Sequence, residues 1–265
     1  MRTLLEATTL VAPGSRIGIG GVLLRRKPLV LLRALVDAGV DSLNLHVFLA
    51  SLDAELLAAA GCLAQAHTGY VGFEQLGRAP AWTAAVESGA FPAFEHSELQ
   101  FVSGLAAAAS GLPFLPTRGA AGSSLVSELG LLSVTCPYSG EVLSAVPAMP
   151  LDVAVLHAEA ASASGAVLGP EDPDFLADAD ANLARAAAAV IVTTERIVGD
   201  EEIRAGRSRI LLFPHEVTAV VEAPGGAGAT AVPSCYPADI AALRRYLEQP
   251  SRETLSELTR ARPRP

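Results

Sequence analysis

The stretch from Ser15 to Gly61, SRIGIGGVLLRRKPLVLLRALVDAGVDSLNLHVFLASLDAELLAAAG, sets the architecture of this 265-residue chain. Ser15 to Ile19 reads as a short buried strand that runs into Gly20 and Gly21. Pro28 then opens a helix that extends to Ala38, because Leu29, Leu32, Leu35 and Val36 recur at helical spacing and Gly39 stops it. Asp41 to Val47 alternates as a second strand, and Asp53 to Ala60 follows as a second helix closed by Gly61. Strand-helix repetition of this kind needs crossover connections. It predicts an α/β fold with an open, mainly parallel sheet and helices on both faces.

The same alternation continues on either side. Thr3 to Leu10 reads as an opening helix ended by Pro13-Gly14, and Tyr70-Val71-Gly72 as a strand that would carry Phe73 and Glu74 to the carboxyl edge of the sheet. Leu151 to His157 is a strand ending in a histidine. Gly169 to Asp180, with Glu171, Asp172, Asp174, Asp178 and Asp180 among prolines, reads as an exposed loop before a helix from Ala179 to Ala189. Val190 to Thr193, Ile210 to Phe213 and Val217 to Glu222 supply further strands, and an amphipathic helix ends near Gln249. No linker or change of composition divides the chain. A single domain is expected over residues 3–248, with residues 249–265, where Arg260, Arg262 and Arg264 stand among prolines, as a frayed tail.

A chain of this length buries roughly three quarters of its unfolded surface and supports a full core unaided. Hydrophobic residues make up 51% of it but aromatics only 5%, so its packing must rely on small side chains in close contact. The net charge of −9 argues against nucleic acid as a partner. No window reaches the ~18 apolar residues of a membrane span, and MRTLLEATTLVAPG has neither the unbroken apolar run nor the cleavage site of a signal peptide. A soluble, cytoplasmic protein without membrane contact is expected. Cys62, Cys136 and Cys235 are far apart and form no CxxC, which predicts buried reduced thiols. His67 and His96 have no partner at metal-ligand spacing, so no metal site is expected.

Candidate site residues concentrate between Glu95 and Leu125, EHSELQFVSGLAAAASGLPFLPTRGAAGSSL. Ser97 or Glu95 can cap a helix through Leu99, Val102, Leu105 and Ala109 that Gly111 ends, which places Glu98 in a first turn where a carboxylate is favoured. Leu112 to Pro116 is too rigid for a helix and delivers Thr117, Arg118 and a turn holding Gly119, Gly122, Ser123 and Ser124. An acid, a guanidinium, hydroxyls and flexible backbone thus share one short segment. Earlier in the chain, Gly20-Gly21 allows close approach of backbone to a ligand, and Arg25, Arg26 and Lys27 form the densest positive cluster of the first half; a solvated basic loop after a strand-ending Gly-Gly is the simpler alternative. A dinucleotide fingerprint fails here, because position 23 is Leu23 and the helix starts only at Pro28. Glu74 is a second candidate acid, or a loop carboxylate paired with Arg78. His157 could act as a base, although a strand-end histidine bonded to backbone accounts for it as well.

The segments GLPFLPTR, GG…RKP, YVGFE and LDVAVLH together resemble the A (alpha) subunit of the family I CoA-transferases, in particular the glutaconate CoA-transferase branch, over nearly all of residues 3–248. The resemblance implies a subunit that uses coenzyme A as a substrate with no bound cofactor. It also implies a B (beta) subunit as partner, in a heterotetramer or larger assembly, with acyl-CoA and a carboxylic acid as reactants. The nucleophilic glutamate is then expected on the partner. This chain would contribute Glu98 together with the substrate-binding residues Gly20, Gly21, Arg26, Ser51, Glu74, Arg118 and Ser124. Steroid-degrading relatives that open a carbon ring of a CoA thioester use an acid at the position of Glu98, which makes a hydrolase the alternative. A catalytically silent binding subunit is a third reading, since Phe48-Leu-Ala-Ser51-Leu-Asp53 departs from the family's Gly/Ser-rich turn and could narrow the acyl pocket.

Overall fold

The computed structural model describes residues 1–119, 121–174 and 176–263. The chain opens with α1 (Leu4–Thr8), β1 (Arg16–Ile19), α2 (Leu29–Asp37), β2 (Leu43–His46), β3 (Leu49–Ala50), α3 (Leu52–Ala60), β4 (Leu63–Thr68) and β5 (Tyr70–Val71). It continues through α4 (Pro80–Glu87), β6 (Ala93–Glu95), α5 (Glu98–Ala109), β7 (Phe114–Thr117), α6 (Leu125–Glu128), β8 (Leu132–Thr135) and β9 (Val142–Pro147). The last third holds β10 (Leu151–Ser162), β11 (Val167–Leu168), α7 (Ala177–Arg185), β12 (Ala187–Val198), α8 (Asp200–Ala205), β13 (Ile210–Leu212), β14 (Ala219–Glu222), α9 (Ile240–Glu248) and α10 (Arg252–Leu258).

Seven of these strands lie parallel in the order β6-β4-β2-β1-β10-β12-β14, while β11 and β13 extend the β10 edge in antiparallel fashion. The chain leaves β1 toward β2 on one side and later returns beside it as β10. The carboxyl end of β1 is therefore a topological switch point, the place where open α/β sheets hold ligands. One face of the sheet, with Ile17, Leu43, Leu45 and Val153, packs under α2, α3 and α4 in the larger apolar core; the other, with Ala154, Leu156 and Val192, packs under α5 and α7. A separate antiparallel flap, β7-β9-β8, follows α5.

Local sequence explains these boundaries. Thr3 and Glu6 form a capping box at α1, Ser97 and Gln100 another at α5, and Gly39, Gly61 and Gly111 leave α2, α3 and α5 with φ near +70°. In α2, Leu29, Leu31, Leu32 and Leu35 are fully buried, so Leu32→Ala is expected to cost about 2–5 kcal/mol, measurable as a lowered urea midpoint.

Several elements differ from the sequence reading. The strand of the main sheet in this region is β4; Tyr70 and Val71 pair only with β3, and Phe73 turns into the core. Glu74 stands on an exposed turn with φ +53°, and Arg78 reaches Glu87 rather than Glu74. β10 and β12 run on to Ser162 and Val198 because ten residue pairs join them, so His157 is mid-strand and the helix before β12 ends at Arg185. The tail is not frayed as far as residue 263. Ser251 caps α10, Leu255 and Leu258 are buried, and the Arg262 N–H donates to the Gly225 carbonyl; Arg264 lies outside the described residues. Of the three thiols only Cys62 is buried, and burial pushes its pKa up; Cys235 is exposed. Among the described residues no helix is long and apolar enough to cross a membrane.

Candidate active site at the carboxyl edge of the sheet

Four predicted residues, Gly20, Gly21, Arg26 and Ser51, meet at the switch point, but in a buried polar lattice. The Gly20 N–H donates to the Val155 carbonyl (2.9 Å), and the Gly21 N–H to Asp180 Oδ1 (2.9 Å). Lys27 Nζ donates to the Gly21 and Leu49 carbonyls (3.0 and 2.9 Å) and pairs with Asp53 (2.9 Å), both side chains being fully buried. Arg26 lays one arm on Asp180 (2.5 Å) and the other on Asp174 (2.7 Å), and the two carboxylates raise its pKa despite burial, which opposes that rise. Ser51 donates its hydroxyl to the Leu23 carbonyl, and its N–H to Asp53.

This lattice corrects three expectations. Arg26 is 3% exposed with both arms committed, so it cannot take a phosphate or acyl group in this arrangement. Ser51 has no exposed surface. The glycines are required by packing alone: a Cβ on Gly20 would lie 2.1 Å from Leu156, and one on Gly21, at φ +73°, 2.5 Å from the Arg25 and Arg26 carbonyl oxygens. Asp174 and Asp180, read as parts of an exposed loop, are the buried counter-ions. Beside Gly21 only a recess of about 30 Å³ remains, walled by Phe48, Phe101 and Leu105.

The exposed half of the site is built on α5. Glu98 is its first residue, three positions after β6 ends, and its carboxylate is exposed without an ion-pair or hydrogen-bond partner among the described residues. The capping box spends the Ser97 hydroxyl on the Gln100 N–H, and so leaves Glu98 beside the open N–H groups of the first turn. The turn after β7 rests on this helix start, since a Cβ on Gly119 would touch Leu99 at 3.0 Å. Leu99 itself is half exposed, because the buried stripe of α5 runs through Phe101, Gly104 and Leu105.

Arg118 does not reach Glu98. Its Nε and Nη2 fork onto the Glu141 carboxylate, which that pairing holds below the usual carboxylate range. Arg118 and Glu141 line an open trough of about 800 Å³ within the flap, which also takes in Thr117, Ser123 and Leu131. Ser124 is exposed at the start of α6. Arg118→Lys loses the fork of a surface pair, so the thermal midpoint is expected to move by only a degree or so, measured by calorimetry.

His157 differs from its reading too. Its Nδ1 meets Thr193 Oγ1 and its Nε2 meets Glu195 Oε1, both at 2.8 Å, and Glu195 also accepts from Tyr236 and the Gly225 N–H. The Glu195 pKa is lowered although desolvation, the largest influence on it, acts upward, because three groups, His157, Tyr236 and the Gly225 N–H, hydrogen-bond its charged form. This cluster sits inside the protein with Thr193 wholly buried, so it serves as a cross-brace between β10, β12 and the chain after β14. Among the described residues no three His, Cys, Asp or Glu are arranged to hold a metal ion.

Comparison with known proteins agrees with this architecture. Residues 2–215 match the family described as Coenzyme A transferase. The "Cholesterol ring-cleaving hydrolase IpdA subunit" of Rhodococcus jostii is 35% identical over 246 residues, which are 89% of this chain and 81% of that one. The crystal structure of the decarboxylase AibA/AibB superposes with a TM-score of 0.86 at 33% identity, covering 97% of this chain and 95% of its own. Glutaconate coenzyme A-transferase from Acidaminococcus fermentans superposes with a TM-score of 0.87 at 28% identity, covering 96% and 86%. A parallel sheet with its switch point at Gly20-Gly21, the LPFLPTR turn seated on α5, and a match over four fifths of the residues place this chain in the Coenzyme A transferase family.

Proposed function

We propose that this chain is the A subunit of a two-subunit acyl-CoA:carboxylate CoA-transferase. The observation that carries the proposal is the division of the site into two parts. The cations and carboxylates behind Gly20 and Gly21 neutralise one another inside the protein, while Glu98 and the flap cavity that holds Arg118 lie open at the surface. A rigid internal scaffold with an exposed, uncovered catalytic edge is half a site. The relatives named above support a second chain, since IpdA is named as a subunit and AibA/AibB as a pair.

In the proposed reaction a glutamate of the B subunit attacks the acyl-CoA carbonyl, and the tetrahedral adduct expels CoA as a thiolate to leave an acyl–glutamyl anhydride. The thiolate then attacks the glutamyl carbonyl, giving a glutamyl–CoA thioester and the free carboxylate of the first acyl group. An incoming carboxylate takes the CoA by the same two steps in reverse and restores the glutamate. Carboxylates are poor nucleophiles toward thioesters in water, so the two subunits together must exclude water and supply donors to the oxyanion. The isolated chain should show no acyl-CoA turnover, and mixing with the B subunit should restore it. Full activity of this polypeptide alone would overturn the proposal.

A second reading is favoured by one observation, the unpartnered carboxylate of Glu98 at a helix start. In that reading the complex hydrolyses a carbon–carbon bond of a CoA thioester with Glu98 as acid/base, in keeping with the ring-cleaving hydrolase that the IpdA relative is named as. Under either reading, Arg118→Lys should depress turnover of the complex far more than its melting temperature. Unchanged kinetics would return Arg118 to a purely structural pairing with Glu141.

A further inference from the structure

The flap turns its apolar residues away from the body. Its registers place Phe114 beside Pro147, Pro116 and Leu132 on either side of Ala145, and Val134 beside Leu143, so these seven residues share one face of the β7-β9-β8 sheet. The other face carries hydroxyls at four of its seven positions, Thr117, Ser133, Thr135 and Ser144. Thr117, Ser144 and Val146 are buried, so it is this hydroxyl-bearing face that meets the rest of the chain. An antiparallel sheet with one wet face normally does the reverse, apolar side inward and polar side to water. No residue of the apolar face is buried here; Phe114 is 38% exposed and Leu132 77%. None of the seven belongs to an apolar core among the described residues.

The edges of this sheet are guarded while its face is not. β8 is only four residues long, and Pro116 withholds an N–H from β7, both of which discourage a further strand from pairing. A contact here is made through side chains and not by strand addition. The face itself bears no charge, and the ions that flank it, Arg118 after β7 and Glu141 before β9, are spent on each other. Three strands ~4.8 Å apart and up to six residues at ~3.4 Å each give a footprint of roughly 300 Å². Side-chain relief and the exposed Leu112 and Pro113 just before β7 enlarge it. Two such surfaces brought together remove on the order of 1,000 Å² from water, the least that a specific interface needs.

Contiguous apolar surface of this kind is where chains associate. An uncharged face without donors or acceptors offers nothing to a nucleic acid or a charged peptide, and nothing that would select one foreign protein over another. Against itself the same face strands no polar group and needs no selecting contact. We propose that the apolar face of the flap docks on the same face of a second copy of this chain, about a two-fold axis, as a small two-sheet sandwich. The contact goes beyond the reading of the chain as an acyl-CoA enzyme and does not depend on it.

Sedimentation of the full chain tests it. The weight-average mass should climb from one chain toward two between ~1 and ~300 µM, the weak association expected of an interface near the minimum area. Methyl resonances of Leu132, Val134 and Leu143 should shift over the same range, while those of Leu5, 75% exposed on α1, stay fixed. Leu132→Glu and Phe114→Glu each place a carboxylate in an apolar contact and should weaken association at least ~10-fold. Leu5→Glu should leave it unchanged. Both flap positions are exposed, and circular dichroism melting checks that each variant is folded. A chain that stays monomeric at ~300 µM, or a dimer indifferent to both flap substitutions, overturns the proposal. Equimolar B subunit is the last arm. If it dissolves the self-association and shifts the same three sets of methyls in a one-to-one complex, the face belongs to that partner and the second copy is overturned. A complex holding two copies of each chain, which Leu132→Glu splits in half, supports it. None of these readouts uses acyl-CoA turnover, so their outcome is separate from that of the proposed activity.

Discussion

Glu98→Gln in the two-subunit complex is expected to give one of two outcomes that differ by orders of magnitude. Glutamine keeps the shape and hydrogen-bonding reach of the side chain and removes its charge and its ability to move a proton. If the complex is a transferase, the covalent chemistry occurs on the B subunit. Turnover should then fall by a modest factor, and a glutamyl–CoA thioester should still be trapped on B by borohydride or hydroxylamine. If it is a ring-opening hydrolase, Glu98 is the acid/base, and turnover should fall by ~10²–10⁴ with no thioester on B. Because Glu98 is exposed and pairs with nothing among the described residues, the substitution removes no described contact, so a loss of rate is not ascribed to unfolding. An unaffected enzyme would defeat the catalytic role of Glu98 under both schemes and leave it as a helix-start charge.

The parallel sheet was legible in the chain because periodicity and punctuation agreed. Apolar spacing and Gly39 predicted α2, and Gly61 and Gly111 closed their helices at the expected positions. Long-range pairing was not legible. Nothing local says that β10 continues past His157, since only β12 beside it satisfies the extra backbone groups. α10 was hidden for a related reason, because Leu255 and Leu258 acquire meaning only once α2 and α3 offer a surface. At the site, the contacts of individual residues were not legible. Arg26 lies in a basic cluster that suggests phosphate, and only the fold shows that Asp174 and Asp180, about 150 residues later, neutralise it. The contacts of His67 with His46 (rings stacked 4.6 Å apart) and His96 (2.9 Å) were hidden for a different reason, since no spacing rule joins them and neighbouring strands bring them together.

Arg26→Met is expected to be the most destabilising single change in the catalytic half of the molecule. The wild-type guanidinium is buried with 4% of its side chain exposed, and the Asp174 and Asp180 side chains it holds are 4% and 7% exposed. Methionine fits the volume but leaves two carboxylates facing each other out of water, and removing one member of a buried ionic group typically costs about 3–5 kcal/mol. In a chain of this size that corresponds to a fall of roughly 10 °C in melting temperature. The effect should reach the site, because Asp180 also accepts the Gly21 N–H, so a displaced or protonated Asp180 frees the Gly20-Gly21 turn. The double variant Arg26→Met/Asp174→Asn removes one of the stranded charges and should recover part of the loss. Urea unfolding of the parent, the two single variants and the double variant closes the cycle. Equal midpoints for parent and Arg26→Met would show that the ion pairs are not what holds the turn. A large loss that Asp174→Asn does not relieve would assign the destabilisation to packing around Arg26 and not to its charge.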